Sequence, residues 1–298
     1  MKPINILLIS MLLIINTLAF GQQEQPKKVN KFRISDICVQ AGWSSGFNKK
    51  GTITDFTALA PQSVLLNTDF TDYSSPSGRN GISASGMYSV MMGIEFSDKQ
   101  KAIYKNNPLL RMGISYFSGT NLMGNFYKQE SNLYDTLISS TTGQTVYMDK
   151  TINSGYNMEY TSKQIRYDCS LIFRSNPQLR WSVYSGVGIA AGMSIDAHTE
   201  VWYNKTEDII IEYPTDSSYL SGYLNIEMEE IKNKNNIAFS SFIPIGVDFR
   251  IGEENKFLKQ LHLFYEAKPC IAITSTSELG LITNISIQHG LGIRMVFH

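Results

Sequence analysis

Apolar and polar positions alternate along much of this chain with a period of two, the spacing that sends successive side chains to opposite faces of a strand. The clearest stretch is Asn284 to His298, where Ile285, Ile287, Leu291, Ile293, Met295 and Phe297 alternate with Ser286, Gln288, Gly290, Gly292 and Arg294. Seven more such stretches precede it: Arg33 to Trp43, Ser83 to Phe96, Leu110 to Tyr116, Gln164 to Arg174, Trp181 to Met193, Ile237 to Arg250 and Leu261 to Ile273. In the seventh, Pro269 lacks an N–H for the ladder and marks a local break or bulge. One face of each strand is greasy, while the other is small, polar or charged. That arrangement calls for lipid outside and a polar lumen inside. The pattern predicts an all-β fold, an antiparallel up-and-down transmembrane β-barrel of eight strands over residues 33–298. Five shorter runs between the strands are also strand-like: Thr52 to Thr57, Asn125 to Tyr134, Glu200 to Tyr203, Ile209 to Tyr213 and Tyr223 to Met228. They extend hairpins above the membrane, or, if they enter the wall, raise the count to ten or twelve.

The connections alternate in length. Residues 44–80, about 120–162 and about 194–235 are long, whereas 97–108, the turn Ser175-Asn176-Pro177-Gln178 and the stretch Gly252 to Lys256 are short. Only the connection near Glu278 to Thr283 is short out of turn. In membrane barrels the long loops are extracellular and the short ones periplasmic, and an even strand count leaves both termini in the periplasm. With that orientation Phe96, Phe173, Trp181, Phe249 and Phe297 form a periplasmic aromatic girdle. Trp43, Tyr116 and Phe239 form the outer one.

The N-terminus bears on the compartment. Lys2 precedes an apolar run, Ile4 to Leu18, ending in Ala19-Phe20-Gly21, which reads as a cleaved signal peptide over 1–21 followed by a polar periplasmic lead-in over 22–32. No cysteine follows the run, which argues against lipoprotein processing. No later apolar run reaches the length of a spanning helix. Formal net charge is zero, so nothing advertises a nucleic-acid partner. Cys38, Cys169 and Cys270 are isolated and odd in number, and read as buried or lipid-facing apolar residues rather than a disulfide framework.

Sorting the faces collects an inward set of Asp36, Glu95, Asp168, Asp248 and Glu266 with Arg111, Arg166, Arg174, Arg250, Lys268 and Arg294. A gated ion path or an acid–base site would need such groups, and so would a packed salt-bridge network. The narrow lumen of an eight-stranded barrel favours the network, because buried charges must be paired. Arg294 is expected to meet Glu95 or Asp36. His262 points inward near the periplasmic end and joins the charges, while His289 lies on the lipid face. No G-x-S-x-G, H-E-x-x-H or P-loop pattern occurs, so the reading is of a non-enzyme with no cofactor. The acidic stretch Asp196 to Lys234 is a solvated loop or a divalent-cation or docking surface; it lacks EF-hand spacing, and no metal site is assigned.

The leader ending in Phe20-Gly21-Gln22, the alternating strands and the aromatic Phe297 of the last strand together resemble the outer-membrane β-barrels of Bacteroidota, similar in plan to the OmpA transmembrane domain and to PorT-like barrels. His298 after the aromatic departs from barrels that end on Phe itself. The resemblance implies outer-membrane lipid and lipopolysaccharide around the wall, recognition of the last strand by the barrel assembly machinery, and no catalytic residue. The function expected is that of a structural or interaction protein acting through long extracellular loops, with an extracellular or periplasmic protein partner. The alternatives are a small pore or transport protein, an accessory barrel of a secretion system, and a soluble lipocalin-like carrier, whose faces would be reversed.

Overall fold

Period-two patterning is realised almost without interruption, and the strands outrun the stretches that announce them. A computed structural model describes residues 32–47, 49–75, 82–96, 108–138, 143, 145–175, 179–212, 217–252 and 254–297. The leader over 1–21, most of the lead-in, the short turn at 176–178 and His298 lie outside the described residues. The elements in chain order are β1 (Phe32–Phe47), β2 (Lys49–Lys50), α1 (Ile53–Leu59), β3 (Ile82–Phe96), β4 (Leu109–Ile138), β5 (Thr145–Arg174), β6 (Trp181–Glu212), β7 (Ser217–Lys232), β8 (Ile237–Phe242), β9 (Ile245–Arg250), α2 (Lys256–Gln260), β10 (Leu261–Thr276) and β11 (Gly280–Val296).

The wall is a closed antiparallel ring. β1 pairs with β3, then the order runs through β4, β5 and β6 to β8 and β9, on to β10 and β11, and back to β1. β8 and β9 are two halves of one wall strand, so the ring contains eight strands. Among the described residues β7 pairs only with β6, and it stands outside the ring. The strand-like runs within the second and third long connections therefore lengthen hairpins and do not enlarge the barrel.

The local break expected at Pro269 is present on one side of β10: the strand stays paired with β11 through Pro269, while its ladder to β8 and β9 is interrupted there, opposite Ile243-Pro244. There the ladder to β10 stops at Phe242 opposite Cys270 and resumes at Ile245 opposite Ala267, with the Pro269 carbonyl accepting from the Ile243 N–H across the gap. Pro244, itself without a donor, cannot continue the ladder. One local reading is corrected: Thr52 to Thr57 is not extended but opens α1. Thr52 accepts from the Asp55 backbone and Asp55 accepts from the Thr52 backbone, a reciprocal capping box. Phe56 and Leu59, three apart, then fall on one helix face and are buried there.

The faces of the wall are as the alternation implies. Val39, Val90, Ile114, Ile189, Ile271 and Leu291 are exposed on the outside, while Gln40, Ser89, Ser115, Ser182, Glu266 and Arg294 are buried inside. This is the reverse of a lipocalin-like carrier. Close approach inside the lumen explains at least one inward glycine: a Cβ at Gly290 would overlap the Gln40 side-chain amide. At the β10–β11 hairpin Gly280 has φ of 75°, a turn conformation that glycine adopts without steric cost.

Candidate functional site

The lumen near the rim that carries Phe32 and Phe297 holds most of the inward charges. Glu266 of β10 approaches Arg111 of β4 at 2.7 Å and Lys268 at 3.1 Å. Arg294 of β11 contacts Asp248 of β9 and lies 3.6 Å from Asp36 of β1. His262 Nδ1 is 2.6 Å from Asp248, and Arg174 reaches the same carboxylate at 3.7 Å. Ser35 donates to Asp36 at 2.9 Å. Arg111, Glu266, Asp248 and Arg294 are each 1% exposed or less. Charges so buried are tolerated only in mutual contact, and removing one partner strands the other.

Among the described inward residues, Arg111, Arg166, Arg174, Arg250, Lys268 and Arg294 stand against Asp36, Asp168, Asp248 and Glu266, so cations outnumber carboxylates. Aromatic faces take up part of the surplus. The Tyr184 ring lies 5.0 Å from the Arg294 guanidinium, 5.7 Å from Arg174 and 5.8 Å from Arg111, and Phe264 lies 4.6 Å from Arg294. Tyr184 lies on the buried face of the Trp181 to Met193 stretch, and only the three-dimensional ring of cations shows its part. Higher in the lumen Arg166 stacks on Phe117 at 3.9 Å and its Nε donates to the Gln164 side-chain Oε1 at 2.8 Å. Arg250 sits in register with His262. Glu95 is a correction: it pairs with Arg33 at 2.6 Å on the rim, too exposed and too far along the strand to join Arg294. Above the charges a polar cavity of about 30 Å³, bordered by Ser44, Asn121, Arg166, Thr274 and Gln288, is room on the scale of a water molecule.

Of the aromatic residues singled out on the wall, Trp43, Phe96, Phe173, Trp181 and Phe239 are exposed, and Tyr116, Phe249 and Phe297 are half-buried. Trp181 packs on Phe249 with ring centres 4.6 Å apart, and Phe96 on Phe32 at 5.4 Å. Trp43 stacks on His289, which is 2.7 Å from the Tyr265 hydroxyl, so the lipid-face histidine is occupied by aromatic neighbours. Cys38, Cys169 and Cys270 are free thiols.

Beyond the wall, β4, β5, β6 and β7 continue together as a blade. The residues following β2 fold onto its inner side. Phe56, Leu59, Leu65 and Leu66 bury against Leu122, Phe126, Tyr156, Met158, Val201 and Ile282, forming a cap over the distal mouth of the barrel. Glu229 of β7 staples the cap: it accepts from the Ser63 hydroxyl at 2.5 Å and from the Val64 backbone at 3.2 Å. Asn233 donates to the Leu59 carbonyl at 2.6 Å, and Lys128 pairs with Asp72 at 3.0 Å. Burial pushes the Tyr73 and Tyr156 phenols up. No sequence argument found this cap; the signal was Thr52-Ile53-Thr54-Asp55, a hydroxyl residue three before a carboxylate. The acidic stretch 196–234 supplies the upper half of β6 and β7 rather than an irregular loop. Its carboxylates pair locally, Asp196 with Lys163 at 2.7 Å and Glu207 with Lys150 at 2.8 Å. Among the described residues no group of metal-ligating side chains converges.

An apolar exterior, a closed wall and a polar, filled interior define a transmembrane β-barrel of eight strands. No family model and no curated protein matches the chain. Among solved structures, the crystal structure of Neisserial surface protein A (NspA) is similar at 10% identity and a TM-score of 0.30, covering 90% of this chain and 98% of that one. Ail, the attachment invasion locus protein of Yersinia pestis, has 8% identity and a TM-score of 0.24 over 88% of this chain and 100% of that one. The transport unit of the autotransporter AIDA-I from Escherichia coli has 9% identity and a TM-score of 0.21 over 95% and 97%. Superpositions this loose carry no functional argument, and the fold rests on the ring and its faces.

Proposed function

We propose that the protein lies in an outer membrane and works as a non-conducting surface protein whose blade and cap meet a partner outside the cell. The observation that carries this reading is the double closure of the lumen, by interlocked charges at one end and the apolar cap at the other. Lipid and, in the outer leaflet, lipopolysaccharide cover the apolar wall. The rim carrying Phe96, Phe173, Trp181, Phe249 and Phe297 faces the periplasm together with both termini, and Trp43, Tyr116 and Phe239 mark the outer interface. The assembly machinery takes up the last wall strand, β11, and the mature protein follows cleavage of the leader. Within this class, the alternation and Phe297 favour the Bacteroidota barrels of the OmpA-transmembrane and PorT-like kind. No catalytic step belongs to the reading.

Purified protein in a planar bilayer is expected to give no conductance steps, and steady steps above background would overturn the plug. An epitope inserted after Gly143, between β4 and β5, is expected to be stained on intact cells. Staining only after permeabilisation would reverse the orientation.

A further inference from the structure

We propose that the free edge of β7 is a docking site for an extended segment of a partner protein in which basic residues alternate with apolar ones. The inference rests on the blade being the contact element, and it names the partner's chemistry. Among the described residues β7 pairs with β6 alone, so half of its backbone N–H and C=O groups point away from the blade with no described strand to receive them. The register slips at Leu224, which bulges out between Tyr223 opposite Thr206 and Asn225 opposite Lys205. From Asn225 to Lys232 the ladder is regular, long enough to template a typical strand.

The side chains along this stretch specify the strand that fits. On the outer face Ile226 and Met228 are 60% and 47% exposed, with Trp202 of β6 beside Met228. Next along the same face is Glu230, opposite Glu200, and on the inner face Glu227 stands opposite Tyr203. An alternating strand would therefore set its apolar side chains along the outer face, beside Ile226 and Met228, and its basic ones along the inner face, beside Glu227, since opposite charges stabilise and like charges destabilise across neighbouring strands. Natural edges are protected by charged side chains, lysine above all, by prolines, by bulges or by a covering loop. Between Asn225 and Ile231 this edge has no lysine and no proline, and its charges are all acidic, so they turn away an acidic strand and admit a basic one; the cap meets β7 at Glu229 and Ile231.

A second copy is a poor occupant. Two copies in one membrane are related by an axis along the membrane normal, which runs their β7 strands in the same direction with like residues at one height. Glu227, Glu229 and Glu230 would then oppose their own copies.

The test uses the full chain in neutral detergent micelles with two fluorescent ten-residue peptides, one alternating Lys and Val, the other Glu and Val. The Lys–Val peptide is expected to bind at least tenfold more tightly, with affinity falling as salt rises. The variant Glu227→Lys is expected to reverse the preference, while Lys205→Ala, on β6, leaves it unchanged. Equal binding of both peptides, a preference untouched by Glu227→Lys, or crosslinking of Ile226→Cys copies to one another through β7 would overturn the proposal. Its failure is separable from failure of the functional reading: a protein silent in bilayers that ignores both peptides sinks this inference alone, whereas a conducting protein that prefers the basic peptide sinks only the plug.

Discussion

The wall and the blade are built from the same strands with their polarity exchanged. Along β5, Ile165, Tyr167 and Phe173 point outward and are exposed, while Gln164, Arg166, Asp168 and Ser170 are buried within. A few residues earlier in the same strand the buried side carries Tyr156, Met158 and Tyr160, and the opposite side carries Asn157, Glu159 and Lys163. The period of two is unchanged; only the meaning of the faces switches. β4 and β6 make the same exchange with the help of irregularities, between Thr120 and Leu122 in one and between Ser194 and Asp196 in the other. Each extra residue turns the strand so that Leu122 and Ala197 face inward. In the wall, hydrocarbon is outside and charges pair in the middle. In the blade, water is outside and an apolar core forms under the cap. The level of the switch, near Thr161 to Gln164 of β5, is where the account puts the edge of the lipid.

If the two regions have separate cores, damage to one should spare the other. The largest effect is expected from Arg294→Ala, which leaves Asp36 and Asp248 buried without their main partner and costs about 3–5 kcal/mol. Unboiled gels after a temperature ramp should show the folded band lost earlier, with cleavage of the cap unchanged below that point. Phe56→Ala removes the aromatic at the centre of the cap and should cost about 3–5 kcal/mol there alone. Limited proteolysis should then cut within 49–75 while the folded band keeps its heat resistance; equal loss of both would mean that wall and cap are one cooperative unit. Glu229→Ala should loosen the same segment by about 1.5–3 kcal/mol, through loss of its charge-assisted bonds to Ser63 and Val64.

The smallest effect is expected on the outer face of the blade. The hydrogen bond from Lys163 holds Asp196 below the usual carboxylate range, and the same bond raises Lys163. The carboxylate's contribution is thus full above its ordinary pKa and is lost as pH falls through the depressed value; the lysine's is lost only as pH rises through its raised one. Both groups are well solvated, so Asp196→Asn should change stability by less than about 1 kcal/mol. Amide protection factors in the upper part of β6 should fall slightly in acid and be flat near neutrality.

All eight wall strands and their facing were legible because lipid and lumen impose one rule on every strand, so Ile189 and Ser182 could be assigned without knowing their neighbours. Strand ends were not, because Tyr116 and Met193 end the greasy face and not the ladder. Past them the alternation continues with its sense inverted, and a reading tuned to greasy-out takes that for loop. The inward charges could be gathered from pattern, but their partners could not: Glu95 and Arg294 share a face type but lie at different heights. The cap escaped because its apolar residues are scattered through a polar stretch, and its helix is announced only by Thr52 and Asp55.

The chain has three tryptophans, and they fall on both sides of the proposed boundary: Trp43 and Trp181 on the wall, Trp202 on the outer face of the blade. Quenching of single-tryptophan variants by lipids brominated on the acyl chain tests the exchange of faces directly. The account predicts strong quenching of Trp43 and Trp181 and none of Trp202. Comparable quenching of Trp202, or its absence at Trp181, would contradict it.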